Sequence, residues 1–378
     1  FIAFLANLYY QFPSKNLTVI GVTGTDGKTT TTNLIYHILH TAGLPVSMVS
    51  TVGAVIHGQH SDTGFHVTTP SSFAVQKFMK RSLSGNEKQY MVLEVTSHSL
   101  DQQRVWGIPF EIGVLTNITH EHLDYHKTYE NYVKTKAKLL QKAKVAIINI
   151  DDISYPLLSS LISKKIITYG IKKKADVMPK TLPYTSSMEG GFQQYNELAA
   201  ISVAMELGIS DKIIKKALST FALPKGRLEV VYDKDFTIIV DFAHTPNAFA
   251  QLLPVLKKQA KGRLIHVFGS AGQRDASKRP EMGRVSSEFA DVSIVTAEDP
   301  RKEKIKDIAA AILSGMKKKN EVLVIEDRKQ AIKKAISLAK KGDIVVLTGK
   351  GHEKSMNYGK GEIAWDEFLV VKEAIKKR

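Results

Sequence analysis

Apolar and polar positions alternate along this chain in a rhythm that changes from strand-like to helix-like and back. Phe1 to Tyr10 places apolar residues at helical spacing, and Pro13-Ser14 ends the pattern. Leu17 to Val22 is a continuous apolar run that predicts a buried strand, and Thr29 to Ala42 has helical character. Val46 to Thr51 predicts a second strand, leading into a polar loop rich in His and Gly. Thr68-Thr69-Pro70 predicts a helix start, with Pro70 near the favoured first position. Tyr90 to Val95 and Ile112 to Ile118 read as further strands, residues 129–143 as a helix and Val145 to Ile150 as a strand. Strands alternating with helices predict an α/β fold with a parallel sheet covered on both faces.

Residues 170–194 break this rhythm with Lys172 to Lys174, Pro179, Pro183 and Gly190-Gly191. A helix pair is predicted next, roughly 195–208 and 211–221. Leu223-Pro224-Lys225-Gly226 reads as a linker. Beyond it the alternation resumes, with strands near 236–241, 263–268, 291–296, 321–326 and 343–348 and a last helix from about Asp366 to Lys376. The expected division is therefore residues 1–223, of which 1–14 are a leading helix and linker, and residues 224–378, a second doubly wound unit.

Composition narrows the class. A chain of 378 residues with 43% hydrophobic and 24% charged residues has ample material for two soluble cores. No apolar run reaches the ~18 residues of a membrane helix. Phe1 to Ala6 looks superficially like a signal core, yet it lacks a basic flank and a small-residue cleavage site. Cysteine is absent, which excludes disulfides and thiolate chemistry and suits a reducing cytoplasm. The net charge of +16 favours anionic, phosphorylated small molecules. The lysines are scattered, as in Lys172 to Lys174, Lys317 to Lys319 and Lys376-Lys377, with no basic–aromatic ladder. Nucleic acid and membrane are accordingly not expected as partners, and a monomer is expected.

Candidate chemistry clusters where predicted strands end. Gly21-Val22-Thr23-Gly24-Thr25-Asp26-Gly27-Lys28-Thr29-Thr30 lies between a strand and a helix, the layout of a nucleotide phosphate cradle. Val22 stands where the general pattern has glycine, so the stretch is either a variant loop or a chance match. Glu94 ends a buried strand, the sheet edge that carries ligands in open α/β folds; it is either a magnesium ligand or a carboxylate facing solvent. His120, Glu121, His122, Asp124 and His126 form a cluster that points to metal, with an ordinary polar loop as the plainer reading. Asp241 to Pro246, Phe268 to Asp275 and Gly349 to Glu353 are three polar loops leaving one edge of the second sheet, which points to a binding cleft.

Together these motifs resemble the Mur ligase family, the ATP-dependent amide ligases of peptidoglycan precursor synthesis. The matching stretches are Thr23 to Thr30, Thr68-Thr69-Pro70, Glu94 to His98 with Arg104, Asn117 to His126, Gly226 to Glu229, Asp241 to Pro246, Gly269 to Pro280, Asp299-Pro300-Arg301 and Gly349 to Glu353, in family order along the chain. The resemblance implies a P-loop-type central ATPase domain with a mostly parallel sheet, followed by a Rossmann-like C-terminal domain. It implies ATP-driven addition of a stem-peptide amino acid, at the third position, through an acyl phosphate on the substrate's D-glutamate. By resemblance, Gly24, Thr25, Asp26, Gly27, Lys28, Thr29, Thr30 and Asn117 hold ATP, with Arg227, Asp241 and His244 from the second domain. Thr29, Glu94, His122 and a carbamylated Lys136 are the implied ligands of two Mg2+ ions. Thr68, Thr69, Ser97 and Arg104 are implied to contact the muramoyl-dipeptide, and Arg274, Asp299, Arg301, Gly349 and Glu353 the incoming amino acid.

The sequence departs from the family pattern in places. Diaminopimelate-adding members carry Asp-Asn-Pro-Arg where this chain has Glu298-Asp299-Pro300-Arg301. Arg301 suits a distal carboxylate, so diaminopimelate is expected over lysine, and Asp299 adds charge suited to an ammonium. The family's N-terminal uridine-binding domain is not seen in this sequence. Residues 171–194 are short, and Gln193 replaces the first asparagine of a family motif ending at Asn196. Two competing readings are a polyglutamylating relative and a plain NTPase or phosphotransferase using the same loop. A non-catalytic binding protein is a third.

Overall fold

All seven residues of β1 (Leu17–Thr23) are buried, as expected for a central parallel strand. Its side chains alternate between two cores: Leu17 and Val19 join one, Ile20 and Val22 the other. The sheet around it is therefore covered on both faces. The structure is a computed structural model that describes residues 1–64, 68–85, 87–188, 190–317 and 321–378. Lys318 and Lys319 of the second lysine run lie outside the described residues. The chain divides into two units, Phe1–Thr119 with His126–Pro224, and His120–Tyr125 with Lys225–Arg378.

In the first unit, α1 (Ile2–Tyr9) precedes β1, followed by α2 (Lys28–Thr41), β2 (Val46–Ser50), β3 (Gly53–Ile56), β4 (Gln59–Ser61), α3 (Ser72–Ser82), β5 (Gln89–Glu94), α4 (Ser97–Asp101) and β6 (Phe110–Leu115). After the short α5 (Leu123–His126), whose first three residues belong to the second unit, the first unit continues with α6 (Tyr129–Lys142), β7 (Val145–Asn149), α7 (Tyr155–Leu161), β8 (Lys165–Tyr169), α8 (Gly191–Glu206) and α9 (Asp211–Thr220). Among the described residues the strands form one sheet in the order β4-β3-β2-β5-β1-β6-β7-β8. It is parallel from β2 to β8, and β3 and β4 add antiparallel.

Three expectations change here. The polar loop after β2 contains the hairpin β3–β4, turned by His57 and Gly58, both at positive φ; this is the two-residue geometry that matches strand twist. Pro70 lies outside α3, whose N-cap is Ser71, with its hydroxyl accepting from Ala74 N. The strand predicted to Ile118 stops at Leu115, because Thr116 and Asn117 direct their side chains to the backbone of Asp26.

The second unit runs β9 (Glu229–Asp233), β10 (Thr237–Val240), α10 (Pro246–Gln259), β11 (Leu264–Phe268), α11 (Arg279–Phe289), β12 (Val292–Val295), α12 (Ile305–Leu313), β13 (Glu321–Val324), α13 (Arg328–Leu338) and β14 (Ile344–Leu347). The hairpin β15 (Ser355–Asn357) and β16 (Glu362–Ala364) and α14 (Glu367–Lys376) complete it. Its sheet order is β13-β12-β11-β14-β10-β9, parallel except for the edge strand β9. Cores again lie on both faces, one containing Ile238, Val267 and Ala335, the other Phe249, Met282 and Val346. Among the described residues no helix is long and apolar enough to cross a membrane.

Candidate active site

The turn between β1 and α2 is braced from two sides. Asn117 Oδ1 accepts from Asp26 N at 2.9 Å, and Asn117 Nδ2 donates to Asp26 O at 3.1 Å. Thr116 Oγ1 donates to the same carbonyl at 2.7 Å. Thr25 N donates to Asn117 O, and Thr25 Oγ1 lies 3.2 Å from Tyr132 Oη. Lys28, the first residue of α2, donates to Thr25 O at 2.6 Å. Gly27 caps this helix at φ +81 and offers it no side-chain acceptor. A Cβ there would fall 2.3 Å from Asn196 Oδ1. A helix N-terminus reached through such a turn is a ready site for a phosphate. Thr29 and Thr30 are buried in its first turn.

Lys136 stands against the same turn. It lies on α6, is 1% exposed, and donates to Gly24 O at 2.6 Å. Its ammonium also sits 4.5 Å from the centroid of the Tyr132 ring, a favourable cation–π placement.

Glu94 closes β5 beside α2. Its Oε1 accepts from Thr51 Oγ1 at 2.9 Å and Thr29 Oγ1 at 3.1 Å, and its Oε2 from Thr51 N at 2.8 Å. Thr51 Oγ1 in turn lies 3.1 Å from Thr68 Oγ1. Thr69 Oγ1 donates to Glu94 O and accepts from Thr96 N, and Thr69 O accepts from Arg104 Nη1 at 3.0 Å. Ser97 Oγ is 3.0 Å from His126 Nε2. Thr29, Glu94, Thr68 and Thr69 thus converge, as do the phosphate turn, Asn117 and Lys136. Thr51 was not singled out from the sequence; its place at the end of β2 was the available signal. A carboxylate and a hydroxyl beside a phosphate turn are the hard oxygen donors that suit magnesium.

The histidine cluster does not form as the sequence led one to expect. His126 faces Ser97, whereas His120 Nε2 meets Ser277 Oγ at 3.0 Å and Asp275 Oδ2 at 3.6 Å. Glu121 pairs with the buried Lys278 at 3.0 Å. His122 has φ +57 and places Nδ1 4.0 Å from Glu121 Oε1. Among the described residues no three His, Asp or Glu side chains gather as a metal site. Adjacent residues in a short loop point in different directions, so nearness in sequence overstated their convergence.

In the second unit, Asp241 directly follows β10. Its carboxylate accepts from Leu228 N and Ala243 N, each at 2.7 Å. Burial raises its pKa, opposed by Arg227, these two amides and His244. The Arg227 guanidinium lies 4.5 Å from the Phe242 ring centroid, with Nη1 3.4 Å from His352 Nδ1. His244 Nδ1 is 2.9 Å from Phe242 O.

The loops after β11, β12 and β14 gather charge. Arg301 Nη1 donates to Gly272 O at 2.6 Å. Burial and the neighbouring Arg301 lower the pKa of Arg274. Asp299 accepts from Asn357 N at 2.9 Å and from the fully buried Lys350 at 3.0 Å. Lys350 also meets Glu353 at 2.5 Å. Much of the charge on Asp299 and Glu353 is therefore offset by one lysine. Glu298 differs: it is buried, and its Oε2 has no hydrogen-bond partner. That atom faces Gly349, where a Cβ would come within 2.3 Å of it, and the backbone there, at φ +100, favours glycine. Burial pushes the Glu298 carboxyl up to about 7, against the pull of Lys278, Arg328 and Lys350.

Residues 22–207 match the Mur ligase middle domain, and residues 226–351 match the Mur ligase glutamate ligase domain. A UDP-N-acetylmuramoyl-L-alanyl-D-glutamate–2,6-diaminopimelate ligase of Caldanaerobacter subterraneus is 41% identical over 393 residues, covering 98% of this chain and 80% of its own. The corresponding ligase 1 of Clostridium acetobutylicum is 38% identical over 390 residues, with the same two coverages. A solved structure of a UDP-N-acetylmuramoyl-L-alanyl-D-glutamate–2,6-diaminopimelate ligase matches with a TM-score of 0.63 at 30% identity, over 98% of this chain and 82% of that one.

Proposed function

Because the chain belongs to the Mur ligase family, we propose that it joins diaminopimelate to the D-glutamate carboxylate of UDP-N-acetylmuramoyl-L-alanyl-D-glutamate, driven by ATP. The relatives that carry this name and cover almost the whole chain support the substrate assignment. The observation in the molecule that carries it is the pairing of chemistries: a phosphate turn with Glu94 and Lys136 in the first unit, and loops carrying Arg274 and Arg301 in the second.

The proposed reaction has two steps. The carboxylate oxygen attacks the γ-phosphorus, ADP leaves, and an acyl phosphate forms. The amine then attacks the acyl carbon; the tetrahedral adduct releases phosphate and a proton and leaves the amide. This chemistry depends on placing and neutralising charge. Gly24 to Thr30 and Asn117 hold the ATP phosphates, with Lys28 as a point charge. Glu94 and Thr29 would hold magnesium, which would supply positive charge against the triphosphate. A carbamate on Lys136 would turn this cation into an oxygen ligand for the metal. Thr68, Thr69, Ser97 and Arg104 orient the muramoyl-peptide. In the second unit Arg227, Asp241 and His244 serve the nucleotide, while Arg274, Asp299, Arg301, Gly349 and Glu353 serve the amino acid. Residues 1–223 thus form the ATP-binding domain and 224–378 the amino-acid domain.

Measuring ADP release with each substrate omitted tests this reading. A ligase releases ADP steadily only when both carboxylate and amine are supplied. Equal ADP release without either one would make the chain a plain NTPase.

A further inference from the structure

Arg328, the first residue of α13, is completely buried. A guanidinium in that position is tolerated only when its charge and donors are matched. Glu367, the first residue of α14 and equally buried, accepts from Nε at 3.0 Å and from Nη2 at 2.5 Å. Trp365 Nε1 donates to the same carboxylate at 2.8 Å. The remaining reach of the fork goes to backbone: Nη1 donates to Ala297 O at 3.2 Å and Nη2 to Thr348 O at 2.8 Å.

Those carbonyls are informative. Ala297 immediately precedes Glu298-Asp299-Pro300-Arg301, and Thr348 immediately precedes Gly349-Lys350. The strands that feed them, β12 and β14, are not neighbours, since β11 lies between them. One planar fork therefore ties together two loops that leave strands two places apart. Between those loops the tolerances are tight. Glu298 Oε2 abuts Gly349, and Asp299 holds Lys350 at 3.0 Å. A change in loop spacing would disturb both contacts.

We propose that Arg328, held by Glu367, is a positioning residue for the incoming amino acid: it sets the spacing of the loops at 298–301 and 349–353 without touching substrate. This rests on the reading of those loops as the amino-acid site. A lysine keeps the charge and loses the fork. A misplacement of one ångström near reacting groups costs up to about a hundredfold in rate.

Steady-state kinetics of Arg328→Lys separates positioning from folding. The KM for diaminopimelate should rise about tenfold or more, while the KM for ATP stays within about twofold. The double variant Arg328→Met with Glu367→Met removes both buried charges together and is expected to fold; it should show the same selective rise. A folded variant with an unchanged KM for diaminopimelate, or with both KM values raised in proportion, overturns the proposal. So does failure of both variants to fold, which would assign the pair to folding alone. A wild-type chain that turns over no amino acid would instead overturn the functional reading, and this proposal with it.

Discussion

Lys136 sits four residues after Tyr132 in a lysine-rich stretch where the sequence could not distinguish it from Lys134 and Lys138 except by resemblance. The structure separates the three. Lys134 pairs with Glu130 at 2.6 Å on an exposed face, and Lys138 with Asp101 at 3.2 Å. Lys136 alone of the three is buried, against the phosphate turn. Lys136→Ala is expected to abolish ligation, with partial rescue by short carboxylates added to the assay; a fully active variant would remove its proposed role. Glu298 offers a second residue-scale prediction. Its pKa is raised in the fold, so the native state holds a proton that the unfolded chain has released between the ordinary carboxylate value and about 7. The stability linked to that proton is fully present below this window and is lost as pH rises through about 7. Glu298→Gln should flatten that slope and raise the melting temperature at pH 8, as calorimetry at pH 5 and pH 8 would show. An unchanged slope would contradict the assignment. The sequence displayed Glu298 beside Asp299 but gave no sign that Lys350 engages only the latter.

Among the elements, the buried strands and amphipathic helices were the most legible, because both faces of each sheet are packed. Beyond β3 and β4, the short helices α4 and α7, the hairpin β15–β16 and the strands β8 and β9 escaped. β9 is short, half-exposed and charged at both ends, so its antiparallel edge pairing left little pattern. β8 has only its last residue fully buried. The phosphate turn was legible as a layout, but its bracing by Asn117 joins residues 91 apart and depends on β6 lying beside β1. Gly27→Ala tests this element. It places a side chain at φ +81 and 2.3 Å from Asn196 Oδ1. The Kd for ATP should weaken by about tenfold or more, a loss of roughly 1.4 kcal/mol or greater, with little change in diaminopimelate KM. Wild-type ATP affinity would show that the turn is not the nucleotide site.

Across the whole molecule, the sequence foretold two α/β units and placed the proposed ATP chemistry in the first and the amino-acid loops in the second. It misjudged the histidine cluster, because the unit to which a six-residue loop belongs is decided by contacts such as Glu121 with Lys278, 157 residues apart. It also could not show that a single buried arginine joins the loops after β12 and β14. Substrate choice belongs to this scale, since it depends on several loops at once. If Arg301 meets the distal carboxylate of diaminopimelate, Arg301→Ala should lower kcat/KM for diaminopimelate by at least about a hundredfold and affect any activity with lysine far less.

The most direct test is amino-acid-dependent phosphate release by the chain with ATP, magnesium and UDP-N-acetylmuramoyl-L-alanyl-D-glutamate, run in parallel with diaminopimelate, lysine and glutamate. Release with diaminopimelate well above that with lysine or glutamate, and none without an amino acid, is the predicted result. No release with any of the three, or equal release in the absence of amino acid, would contradict it.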